Sequence, residues 1–209
     1  MIFKDREDAA LKLANKLYHY KDQNDTIILA LPRGGVVTGE VLSRKLHLPM
    51  DVAMVKKLGH PGNPEFAVGS VTLQGFHIDQ KDMVSEEYVK EETKKIQELL
   101  KQRYRKYKGD TPPFDLKGKT VIITDDGVAT GNTMISTILS IRANDVQKMV
   151  AAVPVAPPQS LHHIKQEVNE VVCVHTTEDF FAIGQFYQNF DQVDDDTVIE
   201  KLNQTHSIE

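Results

Sequence analysis

The sequence predicts an α/β fold: a doubly wound, mainly parallel central sheet flanked by helices. Five short runs rich in Val and Ile carry this reading: TIILAL (26–31), DVAMV (51–55), TVIIT (120–124), KMVAAVPV (148–155) and EVVCV (170–174). Each is close to apolar throughout, as strands covered on both faces are. Most of the intervening segments have helical spacing, the pattern of parallel strands joined by crossover helices.

Taken in order, a first helix is expected over 5–20, ahead of the first strand, and a second over 36–47. After the strand at 51–55, AVGSVTLQGFHI sets a Gln-Gly pair between β-prone stretches and reads as a hairpin, adding antiparallel strands beyond the second parallel one. The longest helix, 82–108, brings Val89, Ile96, Leu100, Tyr104 and Tyr107 to one face. Its acids fall early and its bases late, which suits the helix dipole. The basic end (Lys101, Arg103, Arg105, Lys106, Lys108) reads as a solvated helix terminus, not a nucleic-acid patch. The strand at 120–124 leads into a helix over 132–143 that runs through Met134, Ile135, Ile138 and Leu139. A further helix, 158–167, is entered through Pro-Pro-Gln-Ser, and the tail after Asp191 reads as an acidic N-cap followed by a short helix. No repeat or low-complexity tract interrupts this order.

With 209 residues, 40% of them apolar, the default is one domain with additions. The net charge of −5 provides no global basic face, so no nucleic-acid partner is expected. No apolar run reaches 18 residues, and MIFKDREDAA lacks the features of a signal peptide. No membrane association is expected, and the location is expected to be cytoplasmic. The single cysteine, Cys173, lies in an apolar run and reads as a small buried hydrophobe.

The chemistry concentrates in VIITDDGVATGNTM, residues 121–134. A strand delivers Asp125 and Asp126 at its carboxyl end, the edge of an open α/β sheet where ligands bind. Gly127, Val128, Ala129, Thr130, Gly131, Asn132 and Thr133 then open a helix, so backbone N–H groups and threonine hydroxyls converge as an anion cradle. The loop is neither the lysine-bearing phosphate loop nor the dinucleotide fingerprint. Two carboxylates beside a bare phosphate would repel it unless they accept hydrogen bonds from hydroxyls or hold a hydrated divalent cation. The expected ligand has a phosphate at one end and a vicinal diol near it, as a ribose 5-phosphate does. ALPRGGV supplies a second anion site, with Arg33 able to fork onto phosphate and Gly34 and Gly35 allowing close backbone approach. The competing reading of that stretch is a plain turn with an exposed arginine.

VIITDDGVATGNTM resembles the phosphoribosyl pyrophosphate motif of type I phosphoribosyltransferases. ALPRGGV resembles that fold's pyrophosphate loop, and VKKLGHPGNPEFAVGSV its flexible loop and return strand. More narrowly, LPRGGV, KLGHPGNPEFAVG and FFAIGQFYQNF are similar to a bacterial subgroup of predicted phosphoribosyltransferases without an assigned acceptor. The resemblance implies a single domain over 1–209, with a flexible loop at about 56–75, the long helix at about 82–108 and a hood and tail at about 175–209. It implies that Asp125 and Asp126 accept from the ribose hydroxyls, with Mg²⁺ bridging those hydroxyls and the pyrophosphate, and that residues 127–133 seat the 5-phosphate. Arg33, Gly34 and Gly35 would take the pyrophosphate on a loop that in this family often holds a non-proline cis peptide. Lys56 and Lys57 would close over the leaving group, the alternative for them being a solvated strand end. His60 and Glu65 are weaker candidates in the same loop.

Two departures bear on the acceptor. Where 6-oxopurine enzymes of this fold carry a general-base aspartate this chain has Ala129, which argues against hypoxanthine or guanine; Asn132 stands where Gly or Ala is common. Phe180 and Phe181 are the expected stacking surface for a planar base; the competing reading makes the cluster with Phe186 and Tyr187 a small satellite core. His162 and His163 read as surface residues. The activity implied is transfer of a phosphoribosyl group from phosphoribosyl pyrophosphate to a small nitrogenous acceptor, by a homodimer. The alternatives are a sensor of the same ligand that lacks transfer chemistry and a hydrolase of phosphoribosyl compounds.

Overall fold

The computed structural model describes residues 1–205. Five strands form one parallel sheet in the order β2-β1-β6-β7-β8: β1 (Thr26–Ala30), β2 (Met50–Val52), β6 (Thr120–Thr124), β7 (Lys148–Ala156) and β8 (Glu170–Thr176). From β1 the chain winds outward to β2, and from β6 it winds the other way through β7 to β8. The reversal lies between β1 and β6, which pair from Thr26↔Thr120 to Ala30↔Thr124. In open α/β sheets the crevice at this switch point binds ligands.

Among the described residues six α-helices surround the strands: α1 (Arg6–Lys16), α2 (Gly34–Leu46), α3 (Glu86–Lys108), α4 (Asn132–Ile141), α5 (Pro158–Glu167) and α6 (Asp195–Thr205). Alternate strand residues feed opposite cores. Ile28, Ala30, Ile122 and Val150 join Leu13 of α1, Leu42 of α2 and Leu202 of α6. Ile27, Leu29, Val121, Ile123 and Ala151 join Met134 and Ile138 of α4 and Ile164 of α5. Both faces are covered, which is why the strands read as unbroken apolar runs. Among the described residues no helix is long and apolar enough to cross a membrane.

Three differences from the sequence reading concern boundaries. The first helix ends at Lys16 and passes into a short 3₁₀ turn, Tyr18–Tyr20. The helix at 132–143 ends at Ile141, with 3₁₀ geometry over Arg142–Asn144. The long helix starts at Glu86, where Ser85 accepts from the Tyr88 N–H at 3.2 Å as its N-cap.

The larger correction concerns residues 51–78. DVAMV is not one strand: β2 ends at Val52, and β3 (Val55–His60) begins a separate antiparallel sheet with β4 (Asn63–Thr72) and β5 (Phe76–Ile78). Ala53 and Met54 are buried where the chain crosses between the sheets. The hairpin turn around Gln74 and Gly75 is present, but its strands do not extend the parallel sheet. Most of the segment expected as a loop at 56–75 is strand. This small sheet packs against α4, where the Ser70 and Ser140 hydroxyls lie 2.8 Å apart. A side chain at Gly75 would put its Cβ 2.2 Å from the Ser140 carbonyl oxygen.

One buried polar cluster ties α3 to the edge of the main sheet. The Tyr104 hydroxyl donates to both carboxylate oxygens of Asp51, at 3.0 and 2.9 Å. The Val52 and Phe114 amides donate to the same carboxylate. Lys108 Nζ lies 3.7 Å away, with both charged side chains 2% exposed. A carboxylate so enclosed is tolerable only with its partners, because stripping one leaves the other charge buried. Asp51→Ala is expected to cost about 3–5 kcal/mol and Tyr104→Phe about 1.5–3 kcal/mol, read as denaturant-midpoint shifts at unchanged slope; losses below about 0.5 kcal/mol would show that α3 is not anchored this way.

Candidate functional site at the strand switch point

The turns that follow β1 and β6 meet side by side. The Leu31 amide donates to the Thr124 carbonyl at 2.9 Å, carrying the strand pairing into the turn itself. Arg33-Gly34-Gly35 then packs directly on the acidic pair. A Cβ at Gly34 would fall 1.9 Å from Asp126 Oδ2, and one at Gly35 2.8 Å from Asp125 Cα. No side chain fits at either place. The Pro32–Arg33 peptide bond is cis.

Beyond the acids, residues 127–131 turn directly into the N-terminus of α4, where the sequence reading expects an anion cradle. The Val128 N–H bonds the Val155 carbonyl at 2.9 Å, and Ser160 of α5 donates to the Ala129 carbonyl at 2.5 Å, fixing the loop from outside. Gly131 takes a left-handed conformation (φ 83°) and starts α4. The first N–H groups of a helix lack intrahelical partners and carry partial positive charge. Here they open, with the exposed Ala129, Thr130, Asn132 and Thr133, onto a cavity of about 190 Å³. Asp125 and all of Gly127–Thr133 line it. A larger cavity, about 630 Å³, lies between β5 and α3, but none of its lining residues comes from a strand end of the main sheet.

The other expected site residues are distributed unequally. Arg33 is partly exposed and lines a second cavity, of about 360 Å³, with Gly34; its guanidinium is 3.9 Å from Asp195 at the start of α6. Lys56 and Lys57 are exposed on β3 in the small sheet and line neither cavity. His60 sits at the β3–β4 turn, its Nδ1 accepting from the Gly62 amide at 3.0 Å, and Glu65 is exposed on β4. Phe181 is 93% exposed and does not line the cavity of Asp125 and Gly127–Thr133, whereas Phe180 packs on Phe186 with ring centroids 5.0 Å apart. Phe186 and Tyr187 are buried with Phe3, Ala9 and Val155 in a satellite core. His162 and His163 are exposed on α5, and Cys173 is half-buried, its thiol pKa pushed up by burial.

Three groups of this site have no signal in the motif. Ile183 closes the cradle cavity from the hood. Gln185 holds the hood loop, its Oε1 accepting from the Phe181 and Ala182 amides and its Nε2 donating to the Asp179 carbonyl. Arg6, from the start of α1, places Nε 2.7 Å from Asp126 Oδ2, with side chains 12% and 10% exposed. This cation comes from a residue 120 positions away, beyond the reach of any local pattern.

Arg6 leaves the acidic pair asymmetric. Asp126 has the guanidinium, while the Asp125 carboxylate receives the Asp126 amide at 2.8 Å. Burial, followed by the adjacent Asp126 charge, raises the Asp125 pKa well above the usual carboxylate range. The folded chain therefore holds this proton more tightly than the unfolded chain. Stability falls as pH rises from the ordinary carboxylate pKa through the folded one, and the loss is complete above it. Asp125→Asn keeps the acceptor oxygen and removes the penalty. In the absence of ligand it is expected to melt above wild type at pH 7, with the gap closing as pH falls toward about 4; a pH-independent difference would rule out this origin.

The phosphoribosyl transferase domain family matches residues 2–190. "Putative phosphoribosyl transferase MT0597" of Mycobacterium tuberculosis (strain CDC 1551 / Oshkosh) is 35% identical over 213 residues, covering 98% of this chain and 47% of that protein. "Putative phosphoribosyl transferase Rv0571c" of strain H37Rv shows the same identity and coverage. The chain thus spans about half the length of the curated relatives it matches. The crystal structure of TT1426 from Thermus thermophilus superposes with a TM-score of 0.85 at 34% identity, covering 97% of this chain and 98% of that one. A purine phosphoribosyltransferase from Pyrococcus horikoshii shares the fold, with a TM-score of 0.50 at 21% identity over 90% and 92% of the two chains. With both strand-end turns inside the matched residues, the chain belongs to the phosphoribosyl transferase domain family.

Proposed function

We propose that the chain transfers the phosphoribosyl group of phosphoribosyl pyrophosphate to a small nitrogenous, base-like acceptor and releases pyrophosphate. One observation carries this reading: Asp125 and the anion cradle of residues 127–133 line a single small cavity at the switch point. An anion is favoured at one end of that cavity and a hydroxyl donor at the other, the polarity of a ribose 5-phosphate. The Arg33–Gly35 turn, in contact with the acids, then faces the pyrophosphate bonded to the anomeric carbon. A nitrogen lone pair of the acceptor attacks that carbon as its bond to pyrophosphate oxygen breaks, the electron pair leaving with pyrophosphate. Carboxylate charge near the ring favours the cationic character of the sugar at that moment.

Magnesium suits the donor set. It takes hard oxygen ligands, keeps several waters, and is often held by one or two carboxylates together with substrate phosphates. Among the described residues no group of three or more His, Cys, Asp and Glu side chains gathers. Asp125, with Asp126 behind it, would therefore hold the ion through ribose hydroxyls and water, and the bound ion would neutralise charge on the pyrophosphate. Phe181, exposed on the hood two positions before Ile183 in the chain, would be the residue to stack on an acceptor. Lys56 and Lys57 belong to a sheet that rests on α4, the helix whose first turn forms the cradle.

Calorimetry with phosphoribosyl pyrophosphate is expected to show binding that needs Mg²⁺, weakened about tenfold or more in Asp125→Asn. Pyrophosphate release should then appear with one member of a panel of nitrogenous bases, and Phe181→Ala should raise the KM for that base without weakening phosphoribosyl pyrophosphate binding. Binding without release from any base would make the chain a sensor, release without a base a hydrolase, and no binding would end the phosphoribosyl reading.

A further inference from the structure

Arg6 is held more firmly than a surface arginine that has found an acid. Nε donates to Asp126 at 2.7 Å, Nη1 donates to the Asp191 carbonyl at 2.8 Å, and the guanidinium lies 3.8 Å above the Phe190 ring centroid. The head group is fixed on three sides, two of them supplied by the hood. It also lines the cavity of about 360 Å³ that Arg33 and Gly34 line. Two arginines from the first residues of α1 and the turn before α2 thus converge on one space next to the acidic pair. Asp191, on the same cavity, meets Arg6 through its carbonyl oxygen, and the 3.9 Å contact of Arg33 with Asp195 is loose. Both guanidinium groups therefore retain donors for a ligand, since each carries five N–H bonds.

The two carboxylates face different ways. Asp125 lines the cradle cavity; Asp126 does not, and its Oδ2 is enclosed by Arg6 and the Gly34 backbone. We propose that Arg6 is a binding residue for the diphosphate leaving group, gripping it with Arg33 across this cavity, and that Asp126 is a positioning residue that aims Arg6. This rests on the phosphoribosyl reading above and assigns to its pyrophosphate end a cation from outside the pyrophosphate turn. A guanidinium fork matches adjacent phosphate oxygens, and one already oriented by a carboxylate and an aromatic face loses little freedom on binding.

The test separates the two ends of the substrate. Titrations of the full chain in Mg²⁺ would use inorganic pyrophosphate and ribose 5-phosphate as separate probes, with wild type, Arg6→Gln, Arg6→Lys and Asp126→Asn, each variant checked for a cooperative melt. The expected result is a loss of about tenfold or more in pyrophosphate affinity for Arg6→Gln, partial recovery in Arg6→Lys, an intermediate loss in Asp126→Asn, and ribose 5-phosphate affinity within about twofold throughout the Arg6 pair. Equal loss of both probes would reduce Arg6 to a structural strut and overturn the assignment, as would unchanged pyrophosphate affinity in Arg6→Gln. Where Arg6→Gln does not melt cooperatively, Arg6→Lys with full wild-type pyrophosphate affinity overturns it as well. Wild type that binds pyrophosphate and ribose 5-phosphate while the Arg6 variants match it defeats this inference alone; wild type that binds neither defeats the phosphoribosyl reading and this inference with it.

Discussion

The site depends on how closely two backbone turns can approach. β1 and β6 run parallel in register, so their ends arrive at the same height, and the turn after β1 lies on the carboxylates that follow β6. At Gly34 the space is already filled by the Asp126 carboxylate. Contact between these turns fixes the distance between the arginine turn and the anion cradle, and hence the size of ligand that can touch both. The helices behind the turns, α2 and α4, lie on opposite faces of the sheet. Sheet register and winding thus bring together the two short turns from which the site is built.

The rim is a clamp made from the two ends of the described chain. Phe3 pairs with Tyr187, the Phe3 amide bonds the Phe186 carbonyl at 2.7 Å, and the Tyr187 hydroxyl donates to the Asp126 backbone carbonyl. Arg6 adds its ion pair to the same aspartate. The hood is therefore attached to the acidic pair as well as placed near it. Electrostatically the arrangement stores an imbalance: one aspartate has a guanidinium partner, while burial disfavours charge on the other. Such unfavourable charge placement is common where a ligand is meant to complete the set.

The parts of this fold that were legible in the sequence were those with local causes. The inner parallel strands β1, β6 and β7 are buried on both faces and so announce themselves as apolar runs, as does the half-buried edge strand β8; Pro158–Glu167 was visible from its proline at the first helical position. The cradle was legible because small residues and hydroxyls must follow the acids for a helix to open there. What could not be read depended on distant partners. The break between β2 and β3 falls inside an apolar run, because Ala53 and Met54 are buried as they cross and no polar residue marks the turn. The loop at about 56–75 is what the family resemblance implies, while the hairpin in AVGSVTLQGFHI is legible from its β-prone runs; what no local window contains is the pairing of β3 with β4, Lys56↔Val71 and Lys57↔Ser70, which makes most of the segment strand. Phe186 and Tyr187 went to the satellite core because Phe3, from the other end of the chain, supplies the facing surface. Arg6 was hidden for the same reason.

The seat of the small sheet on α4 has a mechanical consequence. Gly75 leaves no room beneath it for even a methyl group, and Ser70 and Ser140 lock the surfaces a short distance away. Sliding along the helix would drive backbone into backbone, and Lys57, paired with Ser70, stands on the strand next to this seat with Lys56 beside it. The bearing and the cradle share one helix barely three turns long. The surface that seats the small sheet and the turn that follows the acidic pair therefore belong to one short element, so that a displacement of one is a displacement of the other.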